Sequence, residues 1–187
     1  EQTFFRAINT NELQVVRQLV QDDGSLLRRY NAQCFEATPL TQACFNGQLE
    51  MVRLLIELGA DVDRCSRWPM GPWSPLHCAI VCQRRDIAQL LLDHNATLDA
   101  CSASGLGMLD ELRELLQQSP QLVHARGGDG MTPLHFADSI VVAELLLSHG
   151  ADINARCIDH YSTPLQYLAT RTADVGRFLI ERGAEID

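Results

Sequence analysis

Few stretches of this chain bring together side chains that could do chemistry. Cys78 and Cys82 lie four residues apart, which on a helix places both thiols on one face, next to His77. A tetrahedral metal centre needs four ligands, so this trio reads as two reduced thiols and a histidine rather than a metal site. Ser104-Gly105-Leu106-Gly107 has the small residues of a phosphate-cradling loop. It lacks the third glycine and the preceding strand of a dinucleotide site. Gly127-Gly128-Asp129-Gly130 has the composition of a turn that needs positive φ. Asp61 and Asp63 are expected to accept backbone amides within a turn, and Asn154 to stabilise a similar one. Nowhere does a nucleophile stand with a base and an orienting group. No catalytic, cofactor-binding or metal-ligating residue is assigned, and the chain is expected not to be an enzyme.

Recognition is the chemistry that remains. The stretch Arg64-Cys65-Ser66-Arg67-Trp68-Pro69-Met70-Gly71-Pro72-Trp73 holds both tryptophans of the chain and two arginines. Trp and Arg dominate the energetic centres of protein interfaces. Arg64, Arg67, Trp68, Met70 and Trp73 are therefore candidate partner contacts.

The elements that position these residues repeat. Thr38-Pro39-Leu40-Thr41-Gln42-Ala43 recurs as Ser74-Pro75-Leu76-His77-Cys78-Ala79, as Thr132-Pro133-Leu134-His135-Phe136-Ala137, and more loosely as Thr163-Pro164-Leu165-Gln166-Tyr167-Leu168. Thr or Ser is a helix N-cap, and Pro suits the first helical position. A second helix follows: Leu49, Val52, Leu55 and Ile56 share one face. It closes on Leu58-Gly59-Ala60-Asp61, a pattern repeated at His94-Asn95-Ala96, His149-Gly150-Ala151 and Arg182-Gly183-Ala184 through Asp187. His94 and His149, at the ends of second helices, are placed to favour the helix dipole. Units lacking Thr-Pro begin near residues 2 and 98, giving starts near 2, 38, 74, 98, 132 and 163.

These motifs resemble ankyrin repeats over nearly the whole chain. The resemblance implies an all-α fold, an ankyrin-repeat α-solenoid of about six stacked helix-turn-helix units with projecting β-hairpin-like fingers. It implies protein partners bound by the fingers and a concave face, and a structural, finger-orienting role for His77 and His135. By family position, Phe35, Phe45, Asn46, Trp73, Val81, Met131, His160 and Tyr161 point into that face. Arginine usage and repeat order bring the chain nearest to bacterial ankyrin-repeat proteins of no assigned activity. The step of 24 residues between the third and fourth starts is about nine short of the usual unit, so no finger is expected near Asp99. Units one and four share their missing Thr-Pro and a similar extension after the second helix, Gly24 to Arg28 and Pro120 to His124. Residues 1–187 therefore read as a single domain built from a duplicated triplet, 1–97 and 98–187. On that pattern the natural chain continues past Asp187 into another fingerless helix.

The formal charge is −9, unfavourable for binding nucleic-acid phosphates, and no apolar run approaches the ~20 residues of a membrane span. All fifteen basic residues are Arg. That reflects either codon usage or selection against lysines that accept ubiquitin. Six of them, Arg28, Arg29, Arg64, Arg67, Arg126 and Arg156, fall in the fingers, so a partner with an acidic patch is expected. Seven cysteines without framework spacing suit a reducing compartment, the cytoplasm or a host cell into which the protein is delivered. The function expected is a non-catalytic protein-protein interaction module without a cofactor. The alternative is an architectural or regulatory arm of a larger enzyme or ubiquitin-ligase-type assembly.

Overall fold

The structure, a computed structural model, describes residues 2–186; Glu1 and Asp187, the latter with the end of the last Gly-Ala turn, lie outside the described residues. The chain divides into two compact units, Glu1–Thr97 and Leu98–Asp187. In the first, α1 (Gln2–Asn9) pairs with α2 (Leu13–Asp22), α3 (Pro39–Phe45) with α4 (Leu49–Glu57), and α5 (Pro75–Val81) with α6 (Arg85–Asp93). In the second, α7 (Ala100–Leu106) pairs with α8 (Leu109–Gln118), a short 3-10 turn (Pro133–Phe136) with α9 (Ile140–Ser148), and α10 (Pro164–Leu168) with α11 (Ala173–Glu181). Among the described residues no helix is long and apolar enough to cross a membrane.

Caps start the first helices where the sequence places them. Thr38 Oγ1 accepts the Thr41 N–H at 3.0 Å, Ser74 Oγ that of His77 at 3.0 Å, and Thr163 Oγ1 that of Gln166 at 3.3 Å. In the repeat without Thr-Pro, Asp99 takes over and accepts from Ser102 N–H at 2.7 Å. No hairpin separates α6 from α7. The fifth repeat departs from expectation, because its first helix is reduced to the 3-10 turn. Its Thr132 lies 18 residues before Gly150, against 21 between Thr38 and Gly59. The shortening removes one helical turn, and Ser139 caps α9 directly by accepting from Val142 N–H.

Helices of five to ten residues are marginal alone, so stacking stabilises them. In the first unit Phe4, Ile8, Leu40, Met51, Leu55, Leu76, Ile87 and Leu91 are fully buried. In the second, Leu112, Leu116, Leu134, Leu146 and Leu179 form the centre of the core. Each such side chain contributes roughly 1.5–3 kcal/mol. Second helices end in the left-handed conformation, at Gly59 (φ 93°) and, with Asn in the same place, at Asn95 (φ 64°).

The turns after the second helices also join neighbouring repeats. Asp61 Oδ1 accepts the Asp63 N–H (3.0 Å), and Asp63 in turn accepts both the backbone N–H (2.8 Å) and the hydroxyl (2.6 Å) of Thr97, one repeat on. In the second unit Asp152 accepts from Asn154 N–H (3.0 Å), and Asn154 Oδ1 accepts from Glu185 N–H (3.0 Å). Arg84 adds a further tie in the first unit, donating to the Gly47 carbonyl and to Asp86. The Arg84 guanidinium holds the Asp86 carboxyl below its ordinary range.

Fingers project between repeats as hairpins closed by one or two backbone hydrogen bonds rather than by strands. Asn31 N–H donates to Ala37 O, Ser66 N–H to Trp73 O, Gly127 N–H to Met131 O and Cys157 N–H to Ser162 O. Adjacent fingers are pinned to one another, Arg67 N–H to Glu36 O (3.1 Å) in the first unit and Ile158 N–H to Asp129 O (2.8 Å) in the second.

Candidate protein-binding surface

The first two fingers of the first unit assemble an exposed aromatic patch. Phe35 and Glu36 both sit at positive φ, 49° and 45°, a conformation that costs a non-glycine residue about 1 kcal/mol or more. It turns the Phe35 ring outward, where it stays 46% exposed. The ring meets Trp68 edge to face, with centroids 5.2 Å apart at 86°, and lies 6.0 Å from Phe45. Phe45, at the end of α3, is 43% exposed, and Met70 on the finger is 42% exposed.

Beside this patch lies a residue that sequence reasoning missed. The Tyr30 ring carries two guanidinium groups, that of Arg67 at 4.0 Å from its centroid and that of Arg64 at 5.0 Å. Arg64 also donates to the Arg28 carbonyl at 3.4 Å. Tyr30 has no motif around it, since its role depends on a finger some 35 residues later. It also borders an open cleft of about 650 Å³ lined by Gln2, Arg6, Asn9, Asn31 and Gln33. On the other side of the patch, a narrow apolar slot opens between Phe35 and Phe45, floored by Trp73, Thr41 and Cys78.

Charge is distributed unevenly. Arg17, Arg53, Arg84, Arg113, Arg177 and Arg182, all on or beside helices, have carboxylate partners: Glu57, Glu50, Asp86, Asp110, Asp174 and Glu144. Among the described residues no carboxylate pairs with Arg28, Arg64 or Arg67, whereas the charge of Arg29 adds to the Ser25 hydrogen bonds that hold the Asp23 carboxyl below its ordinary range. The Arg64 Nε and Trp68 Nε1 donors are buried without an acceptor, an arrangement that costs ~1–3 kcal/mol per group.

Of the expected contact residues, the first unit brings Phe35, Phe45, Arg64, Arg67 and Trp68 together. Asn46 is exposed, and its amide donates to Asn9 Oδ1 at 3.1 Å; Val81 is half-buried. Two residues are corrected. Trp73 is only 8% exposed: its N–H donates to Ser66 Oγ (2.9 Å) and its carbonyl accepts from Ser66 N–H, a pairing that turns the indole inward. Met131 is only 3% exposed, packed beneath the fingers of the second unit. Neither offers an open surface. His160 and Tyr161 are exposed in the second unit, His160 3.3 Å from the Asp159 carboxylate.

Other groups have structural work. His135 is fully buried, its Nδ1 accepting the Thr132 N–H (3.1 Å) and its Nε2 donating to Ser162 O (3.0 Å). It fixes one finger base to the next, as the motif implies. Burial, helped by the charge of Arg126, lowers its pKa to about 4. Burial pushes the Cys44 and Cys101 thiols well up, so neither is a ready nucleophile. Asp129, Asp159 and His160 bring three donor atoms within 4.8 Å of one another, a spacing at which a divalent cation can be held.

A family model described as ankyrin repeats in three copies matches residues 4–101, and a single ankyrin repeat matches residues 129–158. The BTB/POZ domain and ankyrin repeat-containing protein NOOT1 of Medicago truncatula is 34% identical over 113 residues, which are 59% of this chain and 21% of that protein. The Regulatory protein NPR5 of Arabidopsis thaliana is 33% identical over the same share of each chain. The Ankyrin repeat and SAM domain-containing protein 6 of Danio rerio is 42% identical over 60 residues, 32% of this chain and 8% of its own. The matched stretch is thus about a fifth or less of each relative. Among solved structures, a chain of the complex between the Bd0816 predatory endopeptidase of Bdellovibrio bacteriovorus and the immunity protein Bd3460 superposes with a TM-score of 0.55 at 18% identity, covering 97% of this chain and 98% of its own. That likeness concerns the fold alone.

Proposed function

This chain belongs to the ankyrin-repeat family, and from that premise we propose that it is a non-catalytic protein-interaction module engaging its partner through the fingers of the first unit. One observation carries the reading: Phe35, Phe45 and Met70 are exposed, and the Phe35 ring packs against Phe45 and the half-buried Trp68, with Arg64 and Arg67, which no carboxylate pairs, on the same finger as Trp68. Exposed apolar clusters rimmed by charge mark interaction sites. The net charge of −9 favours a protein over a nucleic acid, and the bare arginines favour a partner with an acidic surface. Asn46 follows Phe45 at the end of α3 and is exposed, and Tyr161 and His160 offer a second contact region. The reduced thiols support a cytoplasmic setting.

The same reading takes the six repeats as one binding domain grown by doubling a triplet. Both units support it with a 3-10 turn after their first helix pair, Gly24–Arg28 and Pro120–His124. Relatives that join ankyrin repeats to a BTB/POZ domain favour a second reading, an arm of a larger assembly whose activity lies elsewhere.

The test is a pull-down from a lysate of the source organism, with a Phe45→Ala/Trp68→Ala variant beside the native chain. The variant must first match the native helical circular dichroism and melting temperature. A protein retained by the native chain and lost with the variant supports the module. Equal retention moves the site off these fingers, and specific retention by neither chain rejects the reading.

A further inference from the structure

We propose that the two fingers of the second unit share a binding site for a zinc-type divalent metal ion, with Asp129, Asp159 and His160 as its protein ligands. Asp129 stands on the finger closed by Gly127 and Met131, and Asp159 and His160 on the next, closed by Cys157 and Ser162. The three side chains bring two carboxylate oxygens and an imidazole nitrogen within 4.8 Å of one another. His160 Nε2 and Asp159 Oδ2 are 3.3 Å apart. Bonds of about 2.0–2.1 Å to the corners of a tetrahedron set neighbouring donors about 3.3–3.4 Å apart. This pair therefore already has the spacing of two zinc ligands. The third donor comes from a residue 30 positions before Asp159, so the set is assembled by the fold and not by a local turn. Two carboxylates brought this close repel one another, and a divalent cation between them replaces that repulsion with attraction.

The donor set selects the ion. Calcium takes about six to eight oxygens, and magnesium a near-ideal octahedron of them. One imidazole with two carboxylates suits zinc and its transition-metal neighbours. Three protein ligands leave the fourth tetrahedral position to water or to a donor from a partner. Access is open, because the His160 side chain is 72% exposed. The backbone holds the two fingers in register without the ion: Asp129 O accepts from Ile158 N–H (2.8 Å) and Asp159 N–H (3.3 Å). Two arginines brace the same loops through backbone carbonyls. Arg126 donates to Gly130 O (2.6 Å) and Arg156 O (2.7 Å), and Arg156 donates to Tyr161 O (3.2 Å). Binding then needs side chains to turn and no loop to fold. An ion held there clips one finger to the other and stabilises both by mass action.

The experiment titrates Zn²⁺ into the full chain, stripped of metal by a chelator and kept reduced, and follows hydrogen exchange over residues 127–131 and 157–162. Asp129→Asn and His160→Ala, one variant from each finger, are run beside it. Asn tolerates the left-handed backbone of Asp129 (φ 54°), and the His160 side chain is exposed. Both variants should therefore fold, which helical circular dichroism checks. In the native chain Zn²⁺ should slow exchange over both fingers with a saturating dependence on its concentration. Each variant should need at least about tenfold more Zn²⁺ for the same effect. Thiols are the competing ligands, but the partly exposed ones, Cys34, Cys65 and Cys82, all lie in the first unit. Zinc taken up by them leaves exchange over these fingers unchanged. No slowing at Zn²⁺ up to about 1 mM, slowing over one finger alone, or an undiminished response in either variant overturns the inference. So does displacement of the bound Zn²⁺ by an equal concentration of Ca²⁺.

Discussion

Acid should loosen the second unit through one histidine. In the folded chain His135 is neutral, with Nδ1 accepting from Thr132 and Nε2 donating to Ser162. Protonation would put a proton on Nδ1 facing the Thr132 N–H, inside a site with no solvent. Its titration accordingly falls to about 4, against ~6.5 in an unfolded chain. Between those values the unfolded state binds the proton and the folded state does not, so stability falls as pH falls through this window and is constant above about pH 7. The full difference is roughly 3 kcal/mol, of which roughly 2 kcal/mol is lost between pH 7 and pH 5. The matched control is built into the next repeat, where Gln166 Oε1 accepts the Thr163 N–H at 2.9 Å and does not titrate. His135→Gln should keep the cap but lose the bond to Ser162, costing about 1 kcal/mol at pH 7. It should remove roughly 2 kcal/mol of the decline toward pH 5. The assay is hydrogen exchange over residues 126–168 at both pH values, with urea unfolding by circular dichroism alongside. Carboxylates titrate equally in both proteins and cancel in the comparison. If native chain and variant lose stability in parallel from pH 7 to pH 5, His135 is not the acid-labile group and the burial argument is wrong.

Three further outcomes are expected. Gly130 sits at φ 67° with the Ile158 side chain packed where a Cβ would be, so Gly130→Ala should cost about 1–2 kcal/mol in urea unfolding; Gly24→Ala, in open space at an ordinary φ, should not destabilise, and equal effects would refute the strain. Ser74→Ala removes the acceptor for His77 N–H and should lower stability by about 1 kcal/mol; an unchanged melting curve would show the cap to be idle. Of seven thiols, Cys44, Cys78, Cys101 and Cys157 are buried, so a thiol reagent should titrate no more than three in the native chain and all seven in denaturant, and fast labelling of a fourth would contradict the packing.

Much of the fold could be read before the structure because it is set by local chemistry. Thr38, Ser74 and Thr163 cap helices within three residues of themselves, and a signal of that range survives in a sequence. The 3-10 turn at Pro133–Phe136 follows from the three residues by which the Thr132 to Gly150 spacing falls short of that from Thr38 to Gly59. The surface was half legible. Trp68 and Trp73 stand five apart in one loop, where no periodicity says which ring faces out. The choice is made by the Ser66 hydroxyl, which binds the backbone of Trp73. Tyr30 was invisible because its partners, Arg64 and Arg67, reach it only once two fingers lie together. Phe35 was found by family position, while its exposure rests on a strained φ that no residue type announces.

The joints between repeats bear on how such a chain changes over generations. At Asn154 the acceptor is a side chain of the earlier repeat and the donor is a backbone N–H of the later one; Asp63 holds Thr97 through its backbone in the same way, with the hydroxyl as an addition. A backbone amide is common to every residue except proline. The joint therefore asks almost nothing of the sequence that follows it, and a repeat copied, lost or exchanged by recombination arrives already compatible with its neighbour. Fingers and grooves are then free to diverge toward new partners while the seams that hold the repeats together stay generic.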